Sequence, residues 1–336
     1  MNIYEVAREA GVSIATISRV VNGKKVVSAK TREKVEAVLK KYNYTPDPAA
    51  RNLVMKTTKS VAILTSDVRD AYCSGVCREV ERRLNEIGYT AMLSNTGGTS
   101  KGIGESVANA LAHRMDAIVT VGMSKGADSE IKEAAAKVPC VVINNFIDSP
   151  KVHCVVCDES YGMMLAVSDL VSHGKHNILF IADGSDDSYS ALKMSDGFSA
   201  GMAMNDLSPE NRTESASRGF YGGYACADRL IREHRQFDGV ICDDDTTAAG
   251  FMKSLRENFF VIPDDVAVIS FHNTDVAQCT NPTLTSVDCR SENAGKEAVK
   301  VLKEIFDKGE AEKKTIVLPR LIKRESTEST ISPKRR

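Results

Sequence analysis

The sequence has no long apolar run. It contains no stretch of 18 or more apolar residues, the length that a helix needs to cross a bilayer. Its first residues, MNIYEVAREAGVS, carry charges where a signal peptide would have an apolar region. The chain is therefore expected to act in the cytoplasm, without a membrane partner.

The nine cysteines lack the neighbours that metal or disulfide chemistry needs. Cys154 and Cys157 have the two-residue gap of a zinc or redox pair, but no second pair or nearby histidine cluster completes a tetrahedral site. The segment VHCVVCD is typical of an extended strand, in which residues three apart point to opposite faces. Because Cys140 and Cys242 also lie beside Val/Ile-rich runs, we expect small buried thiols, no metal and no cofactor.

Local signatures of catalysis are also missing. Asp243, Asp244 and Asp245 are adjacent, and three successive residues at a strand end cannot all turn toward one ion. The glycine-rich run 97–104 has neither Walker nor dinucleotide spacing, and no Ser/His/Asp or Cys/His arrangement is visible locally. We therefore expect a protein that is not an enzyme.

The charges that are present divide unevenly along the chain. Residues 1–59 hold 12 Lys/Arg against 5 Asp/Glu, a net charge of +7, whereas the remainder carries −8. A basic N-terminal module suits a polyanionic partner, because Lys and Arg neutralise phosphates. The length of 336 residues is enough for two or three domains.

The basic module is predicted to be a set of short helices. Its apolar periodicity and the stops at Gly11 and Gly23 predict helices over Ile3 to Ala10, Ser13 to Asn22 and Thr31 to Tyr42. The predicted inward stripe comprises Val6, Ala7, Ile17 and Val20/Val21, and the predicted exposed face comprises Ile14, Ala15, Thr16 and Arg19. An exposed second helix with small and basic residues near its start fits a DNA major groove, although an ordinary helical hairpin has the same pattern.

After Ser60 the pattern changes to apolar strand-like runs that alternate with helix-like stretches. VAIL, TAMLS, AIVTVG and CVVIN belong to a first series, and a second series begins near Asp158. This alternation predicts βαβ units on parallel sheets. Two successive series predict two lobes, with a ligand cleft at the carboxyl ends of the strands.

Several motifs are more specific than these patterns. Val6-Ala7, Ala10-Gly11-Val12-Ser13 and the run 15–22 closely resemble the headpiece of the lactose-repressor (LacI/GalR) family of transcriptional regulators. Tyr44-Thr45-Pro46 and the run 50–53 are similar to the hinge of that family, and similarity continues to about residue 327. The resemblance implies a small all-α helix-turn-helix headpiece followed by an α/β two-lobed core like that of periplasmic binding proteins.

The resemblance also implies the domain limits. A helix-turn-helix domain is expected over 1–45, a hinge helix and linker over 46–59, an effector-binding core over 60–327 and a disordered tail over 328–336. Within the core, the N-lobe would comprise about 60–157 plus 289–318. The C-lobe would comprise about 158–288 plus 319–327.

For the DNA partner, the resemblance implies roles residue by residue. The base-facing residues would be Ile14, Ala15 and Arg19, and those contacting phosphates or supporting the helix would be Ser13, Thr16, Ser18 and Asn22. In the hinge, Arg51 would also contact the DNA, and Leu53 would wedge open a base step, the alternative being a leucine that packs between domains. Because one helix-turn-helix covers only a half-site, we expect a homodimer on a palindromic double-stranded DNA operator.

The effector candidates combine predicted strand ends with family contact positions. They are Asp67, Tyr72, Asp158, Met194, Phe220, Asp244 and His272. Three of them depart from the family pattern: Met194 replaces an arginine, His272-Asn273 replaces an aspartate pair, and Asp244-Asp245 replaces Asn-Asp. Each candidate also has an ordinary interpretation, such as helix capping by Asp245, a loop histidine at 272 or packing by Tyr72.

These observations together predict a repressor whose operator affinity is controlled by a small-molecule effector, a carbohydrate or a derivative linked to carbohydrate metabolism. The altered pocket leaves open a regulator that responds to a partner protein or a phosphorylated metabolite. A solute-binding protein or an enzyme is a more remote alternative.

Overall fold

The computed structural model describes residues 3–21, 27–42, 57–123, 125–184 and 188–328. Contacts divide the chain between Lys59 and Ser60 into two units. The predicted DNA contacts of Asn22, Arg51 and Leu53 lie outside the described residues. So do most of the predicted hinge and residues 329–336 of the predicted tail.

The first unit contains three short helices close to the predicted ones. They are α1 (Ile3–Ala10), α2 (Ile14–Val21) and α3 (Ala29–Lys41), the last beginning two residues earlier than predicted. Their buried faces meet in one apolar cluster that contains Val6, Ala7, Ala10, Ile17, Val20, Val35 and Val38. The predicted inward stripe is thus confirmed, except that Val21 is only half-buried.

A glycine turn joins α1 to α2. The amide of Val12 donates to the carbonyl of Ala7, and the amide of Gly11 donates to that of Arg8. This pair of bonds satisfies two carbonyls at the end of the helix, and it requires a left-handed residue, which Gly11 supplies with φ of +61°. The turn therefore fixes where the second helix begins.

The second unit begins with a series of parallel strands and helices. In chain order the elements are β1 (Ser60–Thr65), α4 (Ala71–Glu86), β2 (Thr90–Asn95), α5 (Ser100–Ala112), β3 (Ala117–Val121), a 3-10 turn (Lys125–Ala127), α6 (Asp128–Ala135), β4 (Cys140–Ile143) and β5 (Val152–Cys157). Strands β1 to β5 and the later strand β11 (Lys314–Val317) form a parallel sheet of order β11-β5-β4-β3-β1-β2.

A second six-stranded sheet follows. The chain continues through α7 (Glu159–Ser172), β6 (Ile178–Asp183), α8 (Tyr189–Met204), β7 (Thr213–Ala216), α9 (Phe220–Arg232), β8 (Gly239–Cys242), α10 (Asp245–Glu257), β9 (Ala267–Phe271), α11 (Asp275–Cys279), β10 (Thr285–Asp288), α12 (Ser291–Lys308) and β12 (Arg320–Ile322), of which α12 packs against β4 and β5 of the first sheet. The strand order is β12-β10-β9-β8-β6-β7, with β12 antiparallel to β10. The predicted two-lobed α/β architecture is confirmed, and the exact limits of each lobe stay a prediction.

Three short segments carry the chain between the two sheets. They follow β5, follow β10 and join β11 to β12. On β5, Cys154 packs on one face of the sheet and Cys157 on the other, as predicted. Cys140, Cys154 and Cys242 are buried free thiols, which is also as predicted.

Helices α9 and α10 approach each other through glycines. A Cβ placed on Gly223 would lie 1.9 Å from the carbonyl oxygen of Thr247, and one on Gly250 would lie 1.9 Å from that of Phe220. Backbone contact at this distance leaves no room for a side chain. The glycines therefore set how closely α10, which carries polar residues at its start, packs on its neighbour. None of the described helices is both long enough and apolar enough to cross a membrane.

Candidate functional site

The face of α2 forms the first candidate site. The Ser13 hydroxyl lies 3.2 Å from the Thr16 amide, which donates to it at the start of the helix, and 2.9 Å from the Thr16 hydroxyl. Ala15 and Arg19 are exposed and Ile14 is 39% exposed, whereas Ile17 is fully buried. Two further candidates, Thr16 and Ser18, are half-buried. The predicted orientation of α2 is thus confirmed: its small and basic residues face outward.

Polar contacts fix the helices that support α2. The Glu9 carboxylate accepts hydrogen bonds from Lys41 Nζ at 2.7 Å and from the Tyr42 hydroxyl at 2.8 Å, which ties α1 to the end of α3. These bonds, that of Lys41 first, lower the pKa of Glu9. A firmly supported, outward-facing helix of this kind is what reading base edges in a major groove requires.

The second candidate site is a cavity of about 760 Å³ between the two sheets. It lies at the carboxyl ends of parallel strands, where the sequence predicts a cleft. The lining includes Ser66, Asp67 and Asn144 beyond strands of the first sheet, and Asp183, Asp244 and His272 at strand ends of the second.

Four of the predicted effector residues meet in this cavity. Asp67, Tyr72, Asp244 and His272 all belong to its lining. The ring of Tyr72 stacks on that of His272 with 4.7 Å between the centroids, across the two sheets. Tyr72 therefore both packs against His272 and lines the cavity, and it is only 5% exposed.

The other three predicted effector residues are not among the described residues that line the cavity. Asp158 caps α7 by accepting from the Tyr161 amide at 3.1 Å. Met194 is 3% exposed within the apolar core, and Phe220 begins α9 and is 37% exposed. Met194 therefore occupies the family's arginine position as a core residue.

The adjacent aspartates at the start of α10 serve different purposes. The Asp244 carboxylate accepts from the amide of Thr247 at 2.9 Å and caps the helix, so the alternative in which Asp245 is the cap is wrong. Asp245 is the first residue of the helix and is 1% exposed. Its carboxylate accepts from the Ser286 hydroxyl at 2.7 Å and from the amide and hydroxyl of Thr274 at 2.6 and 2.7 Å. Asp245 thereby joins α10 to β10 and to the start of α11.

Asp243 directly precedes the cap residue of α10 and is buried. Its carboxylate accepts from the amide of Asp183 at 2.9 Å. Burial, followed by the charge of Asp244, raises the pKa of Asp243 to about 7. The three aspartates thus have three different sets of partners.

The cavity contains two cations that the sequence analysis missed. Arg69 Nη2 lies 2.6 Å from Asp67 Oδ2, and Arg218 Nη1 lies 3.5 Å from Asp70 Oδ2. Effector candidates were sought at the ends of predicted strands. Arg218 follows β7, so it would have been among them if β7 had been predicted. Met194 still removes the arginine that the family has at its position, and Arg69 and Arg218 supply positive charge elsewhere in the lining.

Comparison with known proteins connects both sites to one family. Residues 2–47 match the family described as bacterial regulatory proteins, lacI family, and residues 167–327 match a periplasmic binding protein-like domain. An HTH-type transcriptional regulator of Lachnoclostridium phytofermentans is 33% identical over 97% of this chain and 99% of its own. The HTH-type transcriptional repressor PurR of Vibrio parahaemolyticus is 30% identical over 93% of this chain and 94% of its own.

Among solved structures, the lac repressor dimer bound to operator and the anti-inducer ONPF has the same fold. It aligns with a TM-score of 0.90 and 24% identity, covering 97% of this chain and 99% of its own. The resemblance found in the sequence is thus confirmed over both units. The chain belongs to the lacI family of bacterial regulatory proteins and is a DNA-binding transcriptional regulator.

Proposed function

We propose that this chain is a repressor that binds a palindromic operator as a homodimer. Its two-fold symmetry would place one α2 in each half-site, since a single helix-turn-helix covers only half of such an operator. Exposed Ile14, Ala15 and Arg19 would read bases. The phosphate-contacting or supporting residues would be Ser13, Thr16, Ser18 and Asn22, with Arg51 and Leu53 acting from the hinge.

A small polar molecule in the cleft would control the affinity for the operator. The observation that carries this proposal is the cavity of about 760 Å³ between the sheets, which lies within the size range of small-molecule sites. Asp67, Tyr72, Asp244 and His272 would contact the effector, and we add Arg218. Carboxylates, an imidazole and a guanidinium suit a ligand rich in hydroxyls, such as a carbohydrate or a derivative.

The control would work through lobe closure. A ligand shifts the DNA affinity only if it binds one arrangement of the lobes better than the other, and residues of both sheets line this cavity. Because the curated relatives are regulators, we also propose that the chain binds its effector without converting it.

The test is a fluorescence-anisotropy titration of the full chain on DNA selected from a random library. The panel would contain mono- and disaccharides and their phosphates. We expect at least one compound to change the operator Kd about tenfold or more, and the change to shrink in Asp67→Asn. Asp206→Asn, on an exposed turn after α8, is the matched control and should respond like the parent.

Two outcomes would count against parts of this proposal. A Kd that no compound of the panel changes would contradict control by a carbohydrate. A response restricted to the phosphorylated compounds would favour a phosphorylated metabolite as the effector.

A further inference from the structure

Three different metal-ligating groups converge at the floor of the cleft. The donor atoms of Glu159, His272 and Cys289 all lie within 4.8 Å of one another. Glu159 is 1% exposed and Cys289 is fully buried, whereas His272 is half-buried and lines the cavity. An ion could therefore reach this cluster from the cleft.

The fold brings these residues together from distant parts of the chain. Glu159 begins α7 directly after the segment that leaves β5, His272 follows β9, and Cys289 lies on the segment that leaves β10 for α12. The cluster is thus located where the chain crosses between the sheets. Because its three residues are far apart in the sequence, no short ligand motif indicates the cluster.

Two of the donors are held in place by neighbouring groups. Glu159 Oε1 accepts a hydrogen bond from the Ser190 hydroxyl at 2.6 Å and from Asn144 Nδ2 at 3.2 Å, which orients the carboxylate. The His272 ring is stacked on Tyr72. Hydrogen-bonded carboxylates and oriented imidazoles are characteristic of protein metal sites.

Two further observations point to a ligand at this position. His272 has φ of +92°, a strained backbone for a side chain of this kind, and such strain concentrates at functional sites. The buried hydroxyl of Tyr72 has no hydrogen-bond partner among the described residues. A buried polar atom without a partner is rare enough to require an explanation, which a nearby ion or its bound water would provide.

The donor types suit a transition-metal ion. One carboxylate, one imidazole and one thiol are three ligands of the kinds that zinc binds, and a water from the cleft would complete a four-coordinate geometry.

We propose that Glu159, His272 and Cys289 bind a divalent transition-metal ion of the zinc type. The ion would link the segment after β10 to residues at the start of α7 and the end of β9. Such a link would stiffen the floor of the cleft. The proposal goes beyond effector control and depends on neither operator nor effector, so its test can fail separately.

The experiment is a titration of the reduced, metal-free full chain with Co²⁺, followed by competition with Zn²⁺. We expect one equivalent of Co²⁺ to produce a thiolate-to-cobalt charge-transfer band, Zn²⁺ to remove it, and Zn²⁺ to raise the melting temperature. Cys289→Ser should abolish the band. Glu159→Gln, which keeps the carbonyl that accepts from Ser190 and Asn144, should weaken Co²⁺ binding at least about tenfold.

Matched controls separate this site from adventitious binding. Cys279→Ser removes the exposed cysteine of α11, and His176→Gln removes an exposed histidine; both should retain the parent's spectrum and affinity. If Cys289→Ser does not fold, Glu159→Gln together with His272→Gln gives the same readout. A parent without a charge-transfer band, or the same Co²⁺ affinity in parent and Glu159→Gln, would overturn the proposal.

Discussion

Arg218 and Asp70 form an ion pair across the cleft, with 3.5 Å between Nη1 and Oδ2. Asp70 caps α4 beside the first sheet, and Arg218 follows β7 of the second. The pair therefore connects the two lobes at the cavity that both of them line. Its side chains are 17% and 44% exposed, for Asp70 and Arg218 respectively, so solvent screens their attraction.

A double-mutant cycle should detect this connection as a small coupling. Asp70→Asn keeps a capping side chain at the start of α4, and Arg218→Gln removes the charge. We expect a coupling free energy of about 0.2 to 1 kcal/mol by urea unfolding, decreasing at high salt. A coupling that does not decrease with salt would show that the residues interact through packing.

The pH dependence of stability should be affected by Asp243. The folded protein holds its pKa at about 7, above the ordinary value of 3.8, so between these values the folded state binds the proton that the unfolded state releases. This contribution to the free energy of unfolding is fully present below pH 3.8. It falls as pH rises toward 7, by at most about 1.4 kcal/mol per pH unit.

Asp243→Asn removes this titration while keeping an oxygen that can accept from the Asp183 amide. Urea unfolding of parent and variant at pH 5 and pH 8 gives the comparison. The variant should gain stability relative to the parent as pH rises. An equal difference at both values would contradict a raised pKa for Asp243.

The contact between α9 and α10 should not tolerate a side chain at Gly250. The Cβ of Gly250→Ala would lie 1.9 Å from the carbonyl oxygen of Phe220, so the helices must separate. We expect a loss of about 2 kcal/mol or more in the free energy of unfolding. Gly104→Ala in α5 is the matched control, because its Cβ would make an ordinary contact of 3.5 Å with Glu130. The control should be neutral or stabilising by up to about 1 kcal/mol, and equal losses in both variants would refute the close-contact account.

An arginine at position 194, where the family has one, should not create a response to neutral hexoses. We expect little or no response to neutral hexoses such as glucose or galactose, and Met194→Arg should not create one. Met194 lies in the apolar core, where an arginine would be a buried cation as well as lacking the usual acidic partner. Calorimetry with each sugar checks this. Micromolar hexose binding by the parent, with a matching loss of operator affinity, would show that other cleft residues supply the contacts.

The sequence predicted those elements whose signals are local. The α2 helix follows from Gly11 and the stripe at Ile17 and Val20, and buried strands such as β1 follow from continuous apolar runs. The short strand β7 has a half-exposed TESA sequence without such a run, so the adjacent Arg218 was missed.

Features that depend on tertiary structure could not be predicted in this way. Asp244 and Asp245 both fit a helix start, and only the approach of Thr274 and Ser286 decides that Asp245 bonds across to β10 and α11 while Asp244 caps the helix. Glu159 and Cys289 are 130 residues apart in the sequence, so only the crossing segments bring them together.

The most direct test of the account is selection of DNA from a random library by the full chain, with Arg19→Ala in parallel. The parent should enrich an inverted repeat with two equivalent half-sites, because one exposed α2 would read each half. Arg19→Ala should lose preference at the same position in both halves, since arginine is the commonest side chain that reads guanine in the major groove. Enrichment of a single half-site, or a variant that enriches the parent's sequence unchanged, would contradict an operator read by α2 of two subunits.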